Sequence, residues 1–196
     1  MTSIVLAGVG GQGIITLGKI LGEAAILEGK KALMTEIHGM AQRGGRISVD
    51  LRIGDYESAI IPNGSADAIL GFELMETARN TFKLKSSGVI VANRRMIHPM
   101  PLIMKVQEYP EKESEEIISR FKHYYLNADE VAISVGEKRS LNMVMLGALY
   151  GVGILDVSEE SLRQAIMASF SNTKVGEINV KAFEAGIATV NEEKIL

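Results

Sequence analysis

Runs of apolar residues predict a protein of alternating strands and helices from the N-terminus onward. Ser3–Gly8 is a short, continuous apolar run that ends in glycine, which is typical of a buried parallel strand. Apolar side chains recur at helical spacing over Gly13–Glu28, and Gly29 follows as a helix-ending residue. Lys31–Glu36 then predicts a second strand. Together these segments predict an opening βαβ unit.

The next segment has a different pattern. Arg46–Ile53 alternates strictly between polar and apolar residues, which predicts a strand with one buried and one solvated face. Gly54–Asp55 follows as a turn pair, and Tyr56–Ile61 is a candidate return strand of a hairpin. This antiparallel signature departs from a plain doubly wound repeat.

The remaining chain predicts further central strands and then a helical C-terminal region. Ser158 is expected to cap one of these helices, and Asp129–Val135 fits either a helix or a strand. The other predicted strands are Asp67–Phe72, Gly88–Asn93 and Tyr124–Asn127, and further helices are predicted at Glu73–Phe82, Glu111–Phe121 and Val180–Val190. Two more helices are indicated by apolar residues that share a face, first Leu141, Val144, Met145 and Leu149, and then, after Ser158, Leu162, Ile166 and Phe170. Arg94–Pro110 is expected to be irregular, although Leu102–Val106 could pair as a strand. The predicted fold class is α/β, with a Rossmann-like, mostly parallel sheet, an antiparallel strand pair and one domain over residues 1–196.

Composition excludes several classes of function. The 196 residues contain no cysteine, which excludes disulfides, cysteine nucleophiles and a cysteine-held iron–sulfur cluster in this chain. The histidines His38, His98 and His123 form no local ligand pair, so no metal site is predicted. A net charge of −3 argues against nucleic-acid or anionic-membrane binding. Without a signal peptide or a long apolar run, the expected location is cytoplasmic.

A glycine-rich turn follows the first strand. Residues 8–13 read Gly-Val-Gly-Gly-Gln-Gly and fit the pattern G-x-G-x-x-G between a strand and a helix. Such glycines permit a tight turn beside a helix N-terminus, whose free N–H groups favour an anion. Glu36 occupies the place of a ribose-binding acid. From the residues alone, dinucleotide binding and a packing role both stay open; the candidate cofactor-binding residues here are Gly8, Gly10, Gly11, Gln12 and Gly13.

A second polar, glycine-flanked loop follows the second strand, at the sheet edge where open α/β folds bind ligands. His38, Gln42 and Arg43 are the candidate catalytic residues, because they offer a titratable ring, an amide and a guanidinium fork. Gly44 and Gly45 are further candidates for cofactor binding. The alternative is structural, with Arg43 in a surface ion pair and His38 capping a turn. Further along, Asn142 opens a helical motif and either caps that helix or reaches a partner.

Several motifs carry a resemblance to a known family. Residues Ala7–Ile14 read AGVGGQGI, Thr35–Gly45 read TEIHGMAQRGG, and Ser48–Asp55 read SVDLRIGD. They resemble the gamma-type domain of 2-oxoacid:ferredoxin oxidoreductases, and the His-Gly-Met-Ala-Gln-Arg-Gly-Gly version is similar to the indolepyruvate class. Weaker agreement covers most of the remaining chain at Ile61–Pro62, Ala66–Glu73, Asn142–Gly147 and Asn179–Gly186.

The resemblance implies a small subunit that holds no cofactor alone. In that family a larger partner subunit carries thiamine diphosphate and the iron–sulfur clusters, and the complex converts an aryl 2-oxoacid to acyl-CoA while reducing ferredoxin. His38, Gln42 and Arg43 would then face the partner's thiamine site or the incoming CoA. The glycine turn would receive partner backbone or a CoA phosphate. The alternatives are a nicotinamide-dependent reductase and a regulatory module.

Overall fold

A six-stranded sheet lies at the centre of the protein, whose computed structural model describes residues 1–39, 45–98 and 108–193. The strands are β1 (Thr2–Val9), β2 (Ala32–His38), β3 (Arg46–Ile53), β4 (Ala66–Gly71), β5 (Leu84–Asn93) and β6 (Lys122–Leu126). Their order across the sheet is β2-β3-β1-β4-β5-β6. Every residue of β1 is buried, as its continuous apolar run predicts for a central strand.

Helices cover both faces of the sheet. They are α1 (Ile14–Leu27), α2 (Leu74–Arg79), α3 (Glu111–Ile118), α4 (Ala128–Ser134), α5 (Leu141–Val152), α6 (Glu159–Ala168) and α7 (Thr173–Glu193). Short 3₁₀ turns occupy Thr81–Lys83 and Lys138–Ser140. On one face α1 and α4–α7 share a large apolar core with the sheet, while α2 and α3 pack on the other face. No helix in the described ranges has both the length and the apolar character needed to cross a bilayer.

The antiparallel element is β3, which pairs with β1 on one side and with β2 on the other. The pairs β1–β4, β4–β5 and β5–β6 are parallel. The predicted fold class is therefore confirmed, with one difference. The strands β1 and β2 run in the same direction, as in a βαβ unit, but β3 lies between them instead of leaving them adjacent.

The return strand predicted at Tyr56–Ile61 is wrong. Both edges of β3 are already occupied by β1 and β2, so no edge is left for a further strand. Instead, Arg52 holds this segment as an irregular connection: its guanidinium lies 3.7 Å from the centre of the Tyr56 ring and donates to the carbonyl oxygens of Ser58 and Ile60.

One polar position of β3 is not solvated as the alternation predicts. Asp50 is fully buried, and its carboxylate accepts two hydrogen bonds from the Lys83 ammonium, at 2.6 and 2.8 Å. The backbone N–H of Ile61 donates a third, at 3.0 Å. The buried charge is thus both paired and hydrogen-bonded, which is the condition for burying it without a large penalty.

From α4 onward the chain is helical, as predicted for its last third. The undecided segment at Asp129–Val135 is helical, and Ser158 caps α6 by accepting from the N–H of Ser161. The last helix begins at Thr173, earlier than its predicted start at Val180. Asn142 lies within the first turn of α5, so it is not the cap of that helix. The proposed pairing of Leu102–Val106 falls outside the described residues.

Candidate functional site

The glycine-rich turn lies at the carboxyl ends of the central strands. After β1 the chain builds one half of the sheet, and at β4 it begins the other half on the opposite side of β1. Open α/β sheets bind ligands in the crevice at such a switch point. Gly13, with φ of 75°, immediately precedes α1, and no described side chain caps that helix. The first-turn N–H groups and the positive end of the helix dipole therefore face the crevice.

Gln12 has a structural role in this turn. Its Oε1 accepts from the N–H of Val9 at 2.7 Å, and its Nε2 donates to the carbonyl oxygen of Phe72 at 3.0 Å. The side chain thereby ties the end of β1 to the segment that follows β4. Gly8 is buried beneath it, so close that a Cβ there would lie 2.5 Å from the Gln12 amide oxygen. A ligand contact by Gln12 or Gly8 stays a prediction.

A basic cleft of 490 Å³ opens above the turn. It is lined by the turn residues 10–13, by Ile97 and Leu141, and by the cations Arg95, Lys138 and Arg139. Among the described residues Lys138 has no ion-pair partner, whereas Arg95 pairs with Asp129 at 2.7 Å and Arg139 with Glu137 at 3.1 Å. A glycine turn, an uncapped helix start and a cluster of cations together favour an anionic ligand.

The side chain of Arg95 is positioned by a chain of hydrogen bonds that starts at a buried residue. Asn93, at the end of β5, is almost fully buried, and its Nδ2 donates to Asp129 at 3.0 Å. Its Oδ1 accepts from the backbone N–H of Ala128, which fixes the start of α4. Asp129 is thus held where its other oxygen can orient the Arg95 guanidinium toward the cleft.

Glu73 anchors another part of the cleft wall. This fully buried carboxylate follows β4 and accepts from the N–H groups of Glu76, at 2.8 Å, and Ile97, at 3.2 Å. It also accepts from the hydroxyl of Tyr109. Burial, followed by this hydrogen bond, raises the pKa of Tyr109 well above its usual value. Tyr109 therefore remains a neutral donor to Glu73, and Ile97 is held at the cleft.

The candidate loop residues are only partly described. His38 ends the edge strand β2, with 55% of its side chain exposed, and its Nε2 lies 2.9 Å from Oε2 of Glu36. Because β3 separates β2 from β1, His38 lies two strand spacings, about 10 Å, from the line of β1. The candidates Gln42, Arg43 and Gly44 lie outside the described residues.

The end of this loop nevertheless meets the glycine turn. The N–H of Gly10 donates to the carbonyl oxygen of Gly45 at 2.9 Å. Where the loop begins, the N–H of Gly39 donates to the carbonyl oxygen of Arg46 at 2.9 Å. The structure therefore brings two predicted site residues, Gly10 and Gly45, into direct contact, although they are far apart in sequence.

The cleft cations were missed at the level of sequence. Arg95 falls in a proline-containing stretch that predicts irregular structure, and no motif marks it. Lys138 and Arg139 stand in the charged run Glu137–Arg139, just before the helical motif that opens with Asn142. That run, at a break between two helices, was the one signal that could have pointed to them.

Comparisons with known proteins agree with this architecture. The family model described as pyruvate ferredoxin/flavodoxin oxidoreductase matches residues 3–189. A curated relative, indolepyruvate oxidoreductase subunit IorB of Methanothermobacter thermautotrophicus, is 37% identical over 195 residues, covering 97% of this chain and 98% of the relative.

Solved structures share the fold. The gamma subunit of a keto/oxoacid ferredoxin oxidoreductase from Geobacter sulfurreducens superposes with a TM-score of 0.71 at 26% identity, covering 98% of this chain and 99% of that one. A 2-oxoglutarate:ferredoxin oxidoreductase from Magnetococcus marinus, solved with 2-oxoglutarate, coenzyme A and succinyl-CoA bound, gives a TM-score of 0.74 at 23% identity. It covers 97% of this chain and 31% of the other, and it shows the likeness of fold alone.

Proposed function

Because the chain belongs to the pyruvate ferredoxin/flavodoxin oxidoreductase family, we propose that it is the small subunit of an indolepyruvate:ferredoxin oxidoreductase. It is 37% identical to an indolepyruvate oxidoreductase subunit over nearly its full length, which supports this choice of substrate class. The complex would convert an aryl 2-oxoacid and CoA to acyl-CoA and carbon dioxide, and pass the two electrons to ferredoxin. The whole of residues 1–196 would act as one domain, supported by the apolar core that the sheet shares with the C-terminal helices.

The redox cofactors belong to the larger subunit in this proposal. The chain has no cysteine, so its residues do not fit an iron–sulfur cluster held by thiolates. Thiamine diphosphate bound in the partner would supply the carbanion that attacks the 2-oxoacid. The contribution of this chain is then to bind and orient a substrate at the boundary between the subunits.

The basic cleft is the observation that carries the proposal. CoA bears phosphate groups, and the cleft combines N–H groups at the start of α1 with the cations Arg95 and Lys138. The relay through Asp129 pre-orients one of these cations before the ligand arrives, which lowers the cost of ordering it on binding. We expect the cleft to hold the CoA phosphates while the thiol end reaches the partner's active site.

The loop residues take a complementary role in this proposal. Arg43 would hold an anionic group, either the substrate carboxylate or a CoA phosphate, as a bidentate fork, with Gln42 beside it. His38 would donate or relay a proton, and Glu36 would orient its ring. We expect Arg43→Ala to raise the KM of the complex for the 2-oxoacid or for CoA. Steady-state kinetics with neither KM changed would leave Arg43 a structural role only.

The cleft gives a sharper test. Lys138→Ala removes a cation that has no ion-pair partner in the described structure, so its folding cost is expected to be small. In the complex, the KM for CoA is expected to rise about tenfold, equivalent to about 1.4 kcal/mol, with little change in the KM for indolepyruvate. Lys112→Ala, on α3 across the sheet, is the matched control. Unchanged KM values for Lys138→Ala would contradict the role of the cleft.

The nicotinamide alternative loses its main structural support. In a doubly wound dinucleotide domain the second strand lies beside the first, so its terminal acid reaches the ribose. Here β3, and not β2, lies beside β1. Glu36 lies on the edge strand β2, where its carboxylate is within hydrogen-bond distance of the His38 ring. The pattern G-x-G-x-x-G therefore lacks the neighbouring acid that a dinucleotide site uses.

A further inference from the structure

The edge strand β2 is open on one side. It pairs with β3, and its other side is an edge of the sheet. Every residue of Ala32–His38 is at least partly exposed, and the pairing with β3 is continuous, without a bulge. Natural edge strands are usually short, bulged or guarded by proline and lysine, because an open edge pairs with other chains. β2 has one acidic residue, Glu36, and neither proline, lysine nor arginine.

The direction of the main-chain groups of β2 follows from its pairing with β3. The N–H of Gly39 donates to the carbonyl oxygen of Arg46, and the N–H of Gly54 donates to that of Lys31. Hydrogen-bonded pairs alternate along an antiparallel ladder, so the odd-numbered residues of β2 bond to β3. The N–H and C=O groups of the even-numbered residues therefore point out from the sheet edge, where no described residue bonds to them. These outward residues are Ala32, Met34, Glu36 and His38.

The outward groups match those of a second copy of the same strand. When two β2 strands lie antiparallel with Thr35 opposite Thr35, Met34 of one copy lies opposite Glu36 of the other, and Ala32 lies opposite His38. Every outward residue is then paired, with about eight main-chain hydrogen bonds between the copies. A shift of two residues in either direction leaves one outward residue of each strand unpaired. One of the two shifts also places the carboxylates of the two Glu36 residues opposite each other, which is destabilising.

The side chains favour the same register. Met34 and Ala32 lie beneath α1, because a Cβ on Gly18 would lie 2.8 Å from the Met34 sulfur and one on Gly22 would lie 3.7 Å from the Ala32 Cβ. Side chains alternate along a strand, so Leu33, Thr35 and Ile37 lie on the other face. With Thr35 at the centre, Leu33 of each copy lies opposite Ile37 of the other. Such an apolar cross-strand pair stabilises a sheet and would cover Ile37, which is 44% exposed in the single chain.

We propose that β2 pairs antiparallel with β2 of a second copy of this chain, about a two-fold axis at Thr35. The pairing joins the two six-stranded sheets into one continuous sheet. A two-fold interface uses the same patch on both copies and leaves neither β2 edge open for further growth. The inference does not depend on the proposed function, and it requires an assembled complex to contain this chain in pairs.

Cysteine cross-linking tests the interface and its register together, because the natural chain has no cysteine that could interfere. Thr35→Cys places two thiols opposite each other in a pair that is not hydrogen-bonded, with Cβ atoms about 4.5–5.5 Å apart. We expect mild oxidation to link most of the full-length variant into covalent dimers.

Two further cysteine variants serve as matched controls for the register. Leu33→Cys alone and Ile37→Cys alone should not form dimers, because identical positions lie about 14 Å apart along the paired strands. An oxidised mixture of these two variants should link, since Leu33 of one copy lies opposite Ile37 of the other. Linking of either variant alone, with none in the mixture, would contradict the proposed register.

Analytical ultracentrifugation of the full chain measures the dimer without a cross-link. Ile37→Glu places a charge opposite Leu33 at two positions in each dimer, so the dimer dissociation constant is expected to rise about tenfold or more. Ile133→Glu, on α4, is the matched control that should leave this constant unchanged. Ile37 and Ile133 are 44% and 58% exposed, so both variants are expected to fold.

Three results would overturn the proposal. The first is a wild-type chain that stays monomeric at every concentration. The second is a dimer that is unaffected by Ile37→Glu and whose Thr35→Cys variant does not cross-link, because its contact then lies outside β2. The third is a Thr35→Cys variant that links as an isolated chain but not in the complex with the larger subunit, since β2 would then be unpaired or covered by that subunit in the assembled enzyme.

Discussion

At Gly13 two physical constraints act on a single position. Its φ of 75° lies in the left-handed region that residues with a Cβ avoid. A Cβ there would also lie 2.7 Å from the amide nitrogen of Asn142, which bonds to the carbonyl of the same glycine. The glycine motif was visible in the sequence, but the second constraint was not, because it comes from a helix more than a hundred residues away.

Gly13→Ala is therefore expected to lower the free energy of unfolding by more than an alanine substitution at an ordinary left-handed glycine. Gly29→Ala is the matched control, because Gly29 has φ of 71° with open space around its Cβ position. Left-handed strain alone costs roughly 1–2 kcal/mol, and the contact with Asn142 should add about 1 kcal/mol or more to Gly13→Ala. Urea unfolding measures both free energies; equal losses would show that Asn142 moves aside without cost.

At the scale of elements, local pattern located the strands but not their order. Strict alternation identified Arg46–Ile53 as a strand, and the structure gives the same bounds. Which strands lie beside it depends on pairing across the sheet, which alternation does not encode, so the hairpin partner at Tyr56–Ile61 was wrong. The burial of Asp50 was invisible for the same reason, since its partner Lys83 lies 33 residues further along the chain, in the turn before β5.

The buried pair between Asp50 and Lys83 links β3 to the start of β5, and its loss should be costly. Lys83→Met leaves a buried carboxylate with no cation, for which we expect a loss of about 3–5 kcal/mol in the free energy of unfolding. Lys85→Met breaks the more exposed pair with Asp67 and should cost about 1 kcal/mol or less. Similar losses in chemical denaturation would contradict the burial of the first pair.

A second link joins α1 to α6 and depends on pH. Glu28 accepts from the N–H of Ser158 at 2.6 Å and pairs with Lys30 at 3.0 Å. The hydrogen bonds from Ser158, followed by the one from Lys30, lower the pKa of Glu28 from 4.5 to about 2. The stabilisation is therefore complete above about pH 4.5 and disappears as the pH falls toward 2.

Glu28→Gln tests this link. The wild-type protein should be more stable than Glu28→Gln at pH 6, by a margin that shrinks below pH 4.5 and vanishes near pH 2. The remaining carboxylates titrate in both proteins and so cancel from the difference. A margin that stays constant across this range would mean that Glu28 has an ordinary pKa in the folded protein.

For the molecule as a whole, sequence identified the family and half of the candidate site. The glycine turn and the loop that starts at His38 each have a local sequence motif. The hydrogen bond between Gly10 and Gly45 brings the turn and the end of this loop together. The basic cleft has no such motif, because Arg95 and Lys138 come from separate segments that meet only in the fold. A site assembled from cations that are far apart in sequence can be identified only after the fold is known.

Purification of the chain from its native cells tests the central claim most directly. Iron, thiamine and indolepyruvate-dependent, CoA-dependent dye reduction would be assayed on the protein that co-purifies. We expect a larger subunit that contains iron and thiamine, with activity that is lost when this chain is removed and restored when it is added back. A chain that purifies alone, without colour, and that binds NADH would contradict the account and favour a nicotinamide-dependent reductase.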